Sequence, residues 1–421
     1  MVSDRKKPRY VSLFSGAGGL DIGLERAGMA GISLCELEPA FCETLRANQE
    51  FQHIDGRNYF EGSRILNADI RELSGADLSP KSGIEIVVGG PPCQSFSSAG
   101  KQKSVLDPRG LLVNEFIRVV EELQPKMFLF ENVRGLVTAR DAEGEPGGVI
   151  RYLIDRFYEA GYSCRAMLLN SADYGSFQRR VRCFIIGSRR GVAPNFPSPT
   201  HQKQADIFQH PWNPLKIFLE RNADKDTRSY VYPTEKLRPQ IHGLPDGSGL
   251  KSKGKAEKTR PGGHWGYRQG TFIADLNLPA RTVTGSSSQD WVRWDGVLRR
   301  LTLQEIKLLQ GFPADWEIRG TKTQHFKQVG NAVPTVFGEL LGGVIRTFLD
   351  DYPRSSPKKI DMPRSFRGYI EYTSRDQERN GESRSVPLQF PSGVKKSPKF
   401  LPKRSSGMKS FALVKAACSN G

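Results

Sequence analysis

The chain has 421 residues and a formal net charge of +17, with 62 Lys and Arg against 45 Asp and Glu. This length suits two or three domains, and the charge favours a polyanionic partner over an acidic protein or a neutral small molecule. No run approaches the ~18 apolar residues of a membrane span, no apolar region follows the basic N-terminus and the six cysteines lack paired spacing, so we expect a cytoplasmic protein without metal sites or disulfides.

Short apolar runs alternate with helical periodicity along the first part of the chain. The predicted buried strands are Tyr10–Phe14, Ile32–Cys35, Ile84–Val88 and Met127–Phe130. The predicted helices are Leu20–Ala27, Leu111–Leu123 and Val149–Ala160. This alternation is typical of an α/β fold with a mostly parallel sheet and helices on both faces.

The pattern changes after Gly161. Ser163–Leu169 and Val181–Gly187 are both strand-like, and only a short polar loop separates them. Strands joined so closely pair antiparallel. The sheet should therefore contain one reversed strand.

The second part of the chain is irregular. Residues 191–280 are rich in Pro, Gly, Lys and aromatic residues, and helical periodicity returns at Leu301–Leu309 and Val336–Phe348. We expect a first domain over residues 1–192, an inserted irregular domain over 193–300, a hinge and return to the first domain over 301–350, and a basic, disordered tail over 351–421. This tail has 15 Lys and Arg against 6 Asp and Glu.

The first predicted strand runs directly into a glycine turn, Phe14-Ser15-Gly16-Ala17-Gly18-Gly19. Such a turn lets backbone approach a ligand at the carboxyl end of a strand, and Glu36, which ends the second strand, can accept hydrogen bonds from a ribose. Asp21 occupies the third glycine position of a dinucleotide fingerprint, where an acid would repel a pyrophosphate. An adenosine cofactor with a sulfonium group is therefore favoured, although a plain strand-to-helix loop, with Asp69 only a helix cap, is the alternative.

The third well-marked strand ends in Gly89-Gly90-Pro91-Pro92-Cys93-Gln94-Ser95-Phe96-Ser97. Two prolines hold the Cys93 thiol rigidly at the carboxyl edge of the sheet, so we interpret it as a nucleophile rather than a packing residue. Glu131 follows the next strand to the same edge, with a capping acid as the alternative. Strand alternation points Arg180 and Arg182 the same way, which suits a negative ligand, although a solvated basic turn has the same pattern.

Taken in order, these segments resemble the cytosine-5 DNA methyltransferases, typically the modification enzymes of bacterial restriction systems. The resemblance covers about residues 9–192 and 281–348. Leu37 departs from it, because many members carry a larger ring there. The segments similar to family motifs are Phe14–Gly19, Glu36, Asp69, Gly89–Ser97, Glu131-Asn132-Val133, Gln178–Arg182, Arg281-Thr282-Val283-Thr284 and Gly330-Asn331-Ala332-Val333-Pro334.

The resemblance implies a Rossmann-like methyltransferase fold that uses S-adenosyl-L-methionine, with a small, irregular target-recognition domain over residues 193–300. It implies methyl transfer to carbon 5 of a flipped-out cytosine in a specific duplex DNA sequence through a covalent Cys93 adduct. The expected partners are double-stranded DNA and, functionally, a cognate restriction endonuclease. We expect a monomer, associated with the nucleoid of a prokaryote.

The resemblance also implies roles for individual residues, and none is a metal ligand. The expected catalytic residues are Cys93, Glu131, Arg180 and Arg182. The expected cofactor-binding residues are Phe14, Ser15, Gly16, Gly18, Gly19, Leu20, Glu36, Asp69, Ile70, Pro91, Asn331 and Val333. Lys101, Lys103 and Arg109 closely follow the nucleophile and are expected to contact DNA phosphates, with a solvated loop as the alternative.

Two other functions are alternatives to this interpretation. An RNA cytosine-5 methyltransferase of the same family is expected to carry a Cys-Phe-Thr motif, which is absent here. A catalytically silent DNA-binding regulator would not need Cys93, Glu131 and the cofactor turn together. The recognition sequence does not follow from this sequence, because base contacts depend on local side-chain geometry in an irregular domain.

Overall fold

The computed structural model describes residues 7–49, 51–79, 83–92, 111–141, 144–204, 207–252 and 271–379. Seven strands form one sheet: β1 (Arg9–Leu13), β2 (Ala30–Glu36), β3 (Arg64–Asn67), β4 (Ile86–Gly89), β5 (Met127–Val133), β6 (Ser163–Asn170) and β7 (Val181–Ser188). Their order across the sheet is β3-β2-β1-β4-β5-β7-β6. All neighbours pair parallel except β7, which is antiparallel to both β5 and β6, so the predicted single reversed strand is confirmed.

Helices cover both faces of this sheet, as the alternation predicted. The helices between its strands are α1 (Gly19–Arg26), α2 (Pro39–Ala47), α3 (Gly75–Leu78), α4 (Leu111–Leu123) and α5 (Gly148–Glu159). On β5, Met127 and Leu129 pack into the core that contains Leu24 of α1. Phe128 stacks on Phe157 of α5 on the opposite face. Alternate residues of one buried strand thus enter two cores.

The region after β7 contains short strands and helices. They are β8 (His201–Gln202), β9 (His210–Pro211), α6 (Leu215–Asn222), α7 (Arg238–His242), β10 (Ser248–Gly249), β11 (Phe272–Ile273), β12 (Trp291–Trp294) and β13 (Val297–Arg300). Strands β10 to β13 form a four-stranded sheet in chain order. Asp295 and Gly296 have φ values of 50° and 71°, the left-handed backbone that a two-residue hairpin turn needs between β12 and β13.

The chain then returns to the first sheet through α8 (Leu303–Leu309), α9 (Lys322–Asn331) and α10 (Thr335–Asp350). A side chain on Gly23 of α1 or Gly338 of α10 would clash with the other helix, so glycine permits their close approach. Within the described ranges, one segment, Lys322–Asp350, is long and apolar enough to cross a membrane by length and composition alone. Phe337 and Leu341 of this segment are buried in the core of the sheet, which accounts for its apolar character.

The segment after α10 differs from the expected disordered tail. The Tyr352 hydroxyl donates to the Lys126 carbonyl over 2.8 Å, and the Lys358 backbone N–H donates to the Ser163 hydroxyl over 2.5 Å. Helix α11 (Arg364–Arg379) follows. Contacts with residues in or beside β5 and β6 order this segment. Such contacts join positions far apart in the chain, so the periodicity of the local sequence does not predict them. Residues 380–421 lie outside the described chain.

Candidate active site

Several predicted motifs meet at one edge of the sheet. Leu13, at the end of β1, pairs with Gly89, at the end of β4, and Gly89 pairs in turn with Phe130 of β5. Because β7 runs in reverse, it begins at this edge, where Arg182 pairs with Val133. The glycine turn, the start of the Cys93 loop, Glu131 and the arginine motif therefore share one edge.

Glu131 and Arg182 form a buried ion pair at this edge. Arg182 Nε lies 3.1 Å from Glu131 Oε1. The register pairs Glu131 with Phe184, two residues along from Arg182, so the two charged side chains are diagonal neighbours on one face. Burial raises the pKa of Glu131, while the positive charges of Arg182 and Arg180 lower it. The net direction is upward, which favours a carboxyl that can hold a proton.

The end of β5 also contacts the backbone that leads to Cys93. A side chain on Gly90 would lie 2.6 Å from Oε2 of Glu131, so glycine gives the carboxyl its space. The Asn132 amide donates to the Pro91 carbonyl over 3.2 Å. Pro91 itself is buried. The backbone two residues before Cys93 is thereby tied to the residue after Glu131.

Four predicted site residues, Cys93, Lys101, Lys103 and Arg109, lie outside the described residues. Burial raises the thiol pKa of all four described cysteines, to about 12 for Cys35 and about 11 for Cys42, with Cys164 and Cys183 raised further. These four thiols are therefore poor candidates for a reactive thiolate.

Arg180 has a different environment from Arg182. Its guanidinium donates to the carbonyls of Val283 over 2.8 Å and Gly330 over 2.9 Å, with a longer bond to Asn331. These acceptors belong to the Arg281–Thr284 and Gly330–Pro334 segments. Arg180 thus connects three predicted motifs, whereas Arg182 contacts Glu131 directly.

Gln178 and Gln310 are buried residues for which the sequence predicted no individual role. Oε1 of Gln178 accepts from the Val283 backbone N–H, and its amide donates to Gln310, both over 2.8 Å. Both glutamines are 0% exposed. The position of Gln178 at the start of the Arg180–Arg182 motif was a signal for the first of them, but no local pattern marked Gln310.

The glycine turn has one open position and two packed ones. Gly16 has a φ of 58°, and a side chain there would meet nothing within 4 Å in the described structure. A side chain on Gly18 would lie 2.9 Å from the Phe60 ring, and one on Gly19 would clash with the Val333 carbonyl. Phe14 also has a positive φ, of 57°. Gly16 therefore borders the open part of the turn, and the other two glycines allow close packing.

Glu36 lies beside this open part. Its Oε2 accepts the Gly16 backbone N–H over 2.9 Å, and its Oε1 accepts those of Leu37 and Glu38. Burial raises its pKa. Leu37 is 59% exposed. An acceptor carboxyl next to an exposed apolar side chain and an open glycine cradle fits the ribose and the flat base of an adenosine group.

The remaining predicted cofactor residues have mixed environments. Asp69 accepts from the Arg71 backbone N–H over 3.0 Å, so the helix-cap alternative describes its contacts. Hydrogen bonds from Arg71 lower the pKa of Asp69. Ser15 donates to the Ser12 hydroxyl over 3.0 Å. Leu20 is buried in the core of the sheet, Ile70 is buried and its carbonyl accepts from Arg118, and Asn331 is exposed.

The chain matches the family model described as C-5 cytosine-specific DNA methylase over residues 9–346. It is 30% identical to type II methyltransferase M.FnuDI of Fusobacterium nucleatum over 357 residues, covering 82% of this chain and 95% of that protein. It is 32% identical to type II methyltransferase M1.HphI of Haemophilus parahaemolyticus over 345 residues, covering 80% and 86%.

Solved structures share the fold. A DNA modification methyltransferase encoded within an E. coli prophage aligns with a TM-score of 0.60 at 21% identity, covering 81% of this chain and 99% of that one. Spodoptera frugiperda DNMT2 aligns with a TM-score of 0.55 at 16% identity, covering 80% and 99%. The family match ends at residue 346, so it includes most of α10 but not α11.

Proposed function

Because the chain belongs to the C-5 cytosine-specific DNA methylases, we propose that Cys93, Glu131 and Arg182 are the residues with which it methylates carbon 5 of cytosine in DNA. The methyl donor is S-adenosylmethionine. The buried Glu131–Arg182 pair carries the proposal, because it adjoins Gly90 and the Pro91 carbonyl immediately before Cys93.

The reaction requires activation of the base, since carbon 5 of cytosine is a poor nucleophile. The Cys93 thiolate adds to carbon 6, and the displaced electron pair moves toward N3. Glu131 in its protonated form gives a proton to N3, while Arg182 holds the carboxyl in place and offsets negative charge on the base. Carbon 5 then accepts the methyl group and loses its proton to a base not yet assigned. The bond between sulfur and carbon 6 breaks, and N3 returns its proton to Glu131, which regenerates the Cys93 thiolate and the protonated carboxyl. The cytosine must be flipped out of the duplex for these contacts.

Residues around the glycine turn would hold the cofactor, which supplies an activated methyl group on a sulfonium sulfur. Gly16 leaves space at the turn, Glu36 would accept hydrogen bonds from the ribose, and Leu37 would lie against the base. Asp69 and Ile70 would border the adenine. Arg180 is a positioning residue in this proposal, because it fixes the Val283 and Gly330 backbones around the site.

The covalent step is tested by trapping. In duplex DNA with 5-fluorocytosine at the target, carbon 5 carries fluorine, which cannot leave as a proton, so the enzyme cannot be released from carbon 6. The parent enzyme with cofactor should therefore give a covalent adduct that survives denaturing electrophoresis. Cys93→Ala should give none, and Cys418→Ala, which removes the cysteine of the C-terminal tail, should react like the parent. An adduct formed equally by Cys93→Ala would reject Cys93 as the nucleophile.

Residues 193–300 are proposed to select the DNA sequence. Support comes from the small sheet β10 to β13 and from a core distinct from that of the first sheet, in which Phe218 and Val292 pack together with residues of α8 and α9. Exchange of this segment for that of a relative with a known site should transfer the methylated sequence, read by bisulfite sequencing of plasmid DNA. Methylation of the original site by the chimera would contradict the assignment.

A restriction-modification role is proposed from the named type II methyltransferase relatives. Lys101, Lys103 and Arg109 are proposed phosphate contacts within this function. Plasmid DNA from expressing cells should resist an endonuclease that cuts at the methylated sequence. DNA that is methylated yet cut normally would argue against protection by this enzyme.

A further inference from the structure

Helix α11 lies beyond the family match and packs against the site's edge. Phe366 is 1% exposed, and Ile370 occupies the space that a side chain on Gly147 would need. Gly147 is the N-cap of α5, the helix that follows β5 and its turn. The apolar face of α11 thus contacts the side of the molecule where β5 ends.

Tyr369 of α11 contacts Arg134, the first residue of the 3₁₀ turn Arg134–Thr138. The guanidinium carbon of Arg134 lies 5.6 Å from the centre of the Tyr369 ring. Both side chains are half-buried. An aromatic ring at this distance attracts the cation and restricts its rotamers, while the charge of the guanidinium is retained.

Arg134 follows Glu131 by three residues, which limits their backbone separation to roughly 10 Å. The target cytosine, in the proposed function on which this inference rests, lies against Glu131. Its flanking phosphates must then pass over the same rim of the sheet. We propose that Arg134 binds a DNA phosphate beside the flipped cytosine, and that Tyr369 of α11 is its positioning residue.

The chemistry of both side chains suits this role. Guanidinium groups bind phosphate oxygens through paired hydrogen bonds, and arginine combines such binding with stacking on a ring. A phosphate contact adds affinity and register without reading sequence. Helix α11 therefore adds a support for DNA binding to the family's catalytic domain.

The test measures the Kd of the full-length enzyme for a duplex containing its methylated site, at several salt concentrations. Arg134→Gln should reduce the slope of log Kd against log salt by about 0.9, the release expected from one phosphate contact. The ratio of variant Kd to parent Kd should consequently fall about threefold between roughly 50 and 200 mM salt. Arg190→Gln is the matched control, because Arg190 is exposed and follows the end of β7 at the opposite edge of the sheet.

Tyr369 is tested by two replacements. Tyr369→Phe keeps the ring and should match the parent, whereas Tyr369→Leu should weaken DNA binding roughly two- to fivefold, the range of an exposed cation–π contact. Neither the Kd for S-adenosylmethionine nor the single-turnover rate at saturating DNA should change. These two readouts separate a DNA contact from general damage to the fold.

Two results would overturn the inference. One is a salt slope for Arg134→Gln equal to that of Arg190→Gln, and the other is a loss of single-turnover rate at unchanged DNA affinity. Equal DNA binding by Tyr369→Leu and Tyr369→Phe would reject the role of Tyr369. If the proposed function itself were wrong, the parent enzyme would leave DNA unmethylated, which is distinguishable from both of these results.

Discussion

Arg182 Nε lies 3.1 Å from Glu131 Oε1, and the two side chains are only 9% and 10% exposed. The pair joins the reversed strand β7 to β5 at the edge where the predicted motifs meet. A carboxyl whose pKa is raised by burial stays fixed there by its arginine partner. This arrangement allows Glu131 to be both positioned and protonated.

Glu131→Gln should lower the single-turnover rate of methyl transfer roughly 10²- to 10⁴-fold, as for loss of a general acid. Gln keeps the shape of the side chain but has no proton to give. The rate is measured at saturating DNA and S-adenosylmethionine, with the Kd of each determined separately. A rate within about threefold of the parent would leave Glu131 with a structural role only.

Arg182→Gln should shift the alkaline limb of the pH–rate profile upward. Removal of the positive charge favours the protonated form of Glu131, so its pKa rises further and the proton persists to higher pH. The rate itself should fall because the carboxyl loses its support. Arg182→Lys, which keeps the charge, should shift the limb less. Superimposable profiles for Arg182→Gln and the parent would count against control of Glu131 by Arg182.

Gly16→Ala should weaken S-adenosylmethionine binding roughly ten- to hundredfold, the effect of an extra methyl group in a filled site. Gly62→Ala is the matched control, because Gly62 has a similar φ of 70° and equally open surroundings. Both changes should cost about 1–2 kcal/mol of backbone strain. Isothermal titration with cofactor measures the difference, and equal affinities in the two variants would place the cofactor elsewhere.

Asp21→Asn should remove a pH-dependent loss of stability. Burial raises the pKa of Asp21 from 3.8 to about 7. The folded state therefore has its full stability below about pH 4 and loses it as pH rises through about 7, by up to about 4 kcal/mol. The free energy of unfolding of Asp21→Asn, relative to the parent, should accordingly rise from about pH 4 to about pH 7 in denaturant titrations and level off above that.

Asp77→Asn provides the control of opposite sign for this experiment. Hydrogen bonds from Ser74 lower the pKa of Asp77, so its stabilisation is present at neutral pH and is lost as pH falls through that lowered pKa. This variant should be less stable than the parent at neutral pH and match it in acid. The same pH trend in both variants would exclude titration of these carboxyls as the cause.

Deletion of residues 380–421 should flatten the salt dependence of DNA binding without changing the methylated sequence. This segment has 8 Lys and Arg against 1 Asp or Glu. Such charges release counterions from DNA but read no bases. Truncation before residue 351 should instead destabilise the fold, because it removes α11 and the bond between Tyr352 and Lys126. A new target sequence after the shorter deletion would disprove the non-specific role.

Local sequence determined six of the seven strands of the first sheet, the glycine turn and the position of Glu131 at the end of β5. Hydrophobic periodicity and turn residues act over a few positions, so these features follow from neighbouring residues. The same pattern missed β3, a four-residue strand with a partly polar sequence that pairs only with β2 at the border of the sheet. The antiparallel pairing of β6 and β7 was predictable because a short loop connects them.

Only the tertiary structure decided which arginine meets Glu131. The alternation of side chains along a strand predicted that Arg180 and Arg182 point to the same face of the sheet. Arg180, however, precedes the first residue of β7, where strand geometry no longer fixes the direction of a side chain. Its guanidinium instead bonds carbonyls 103 and 150 residues away. The contact between Arg134 and Tyr369 likewise joins segments distant in sequence. Such pairs depend on strand register and on how remote elements pack, which local periodicity does not encode.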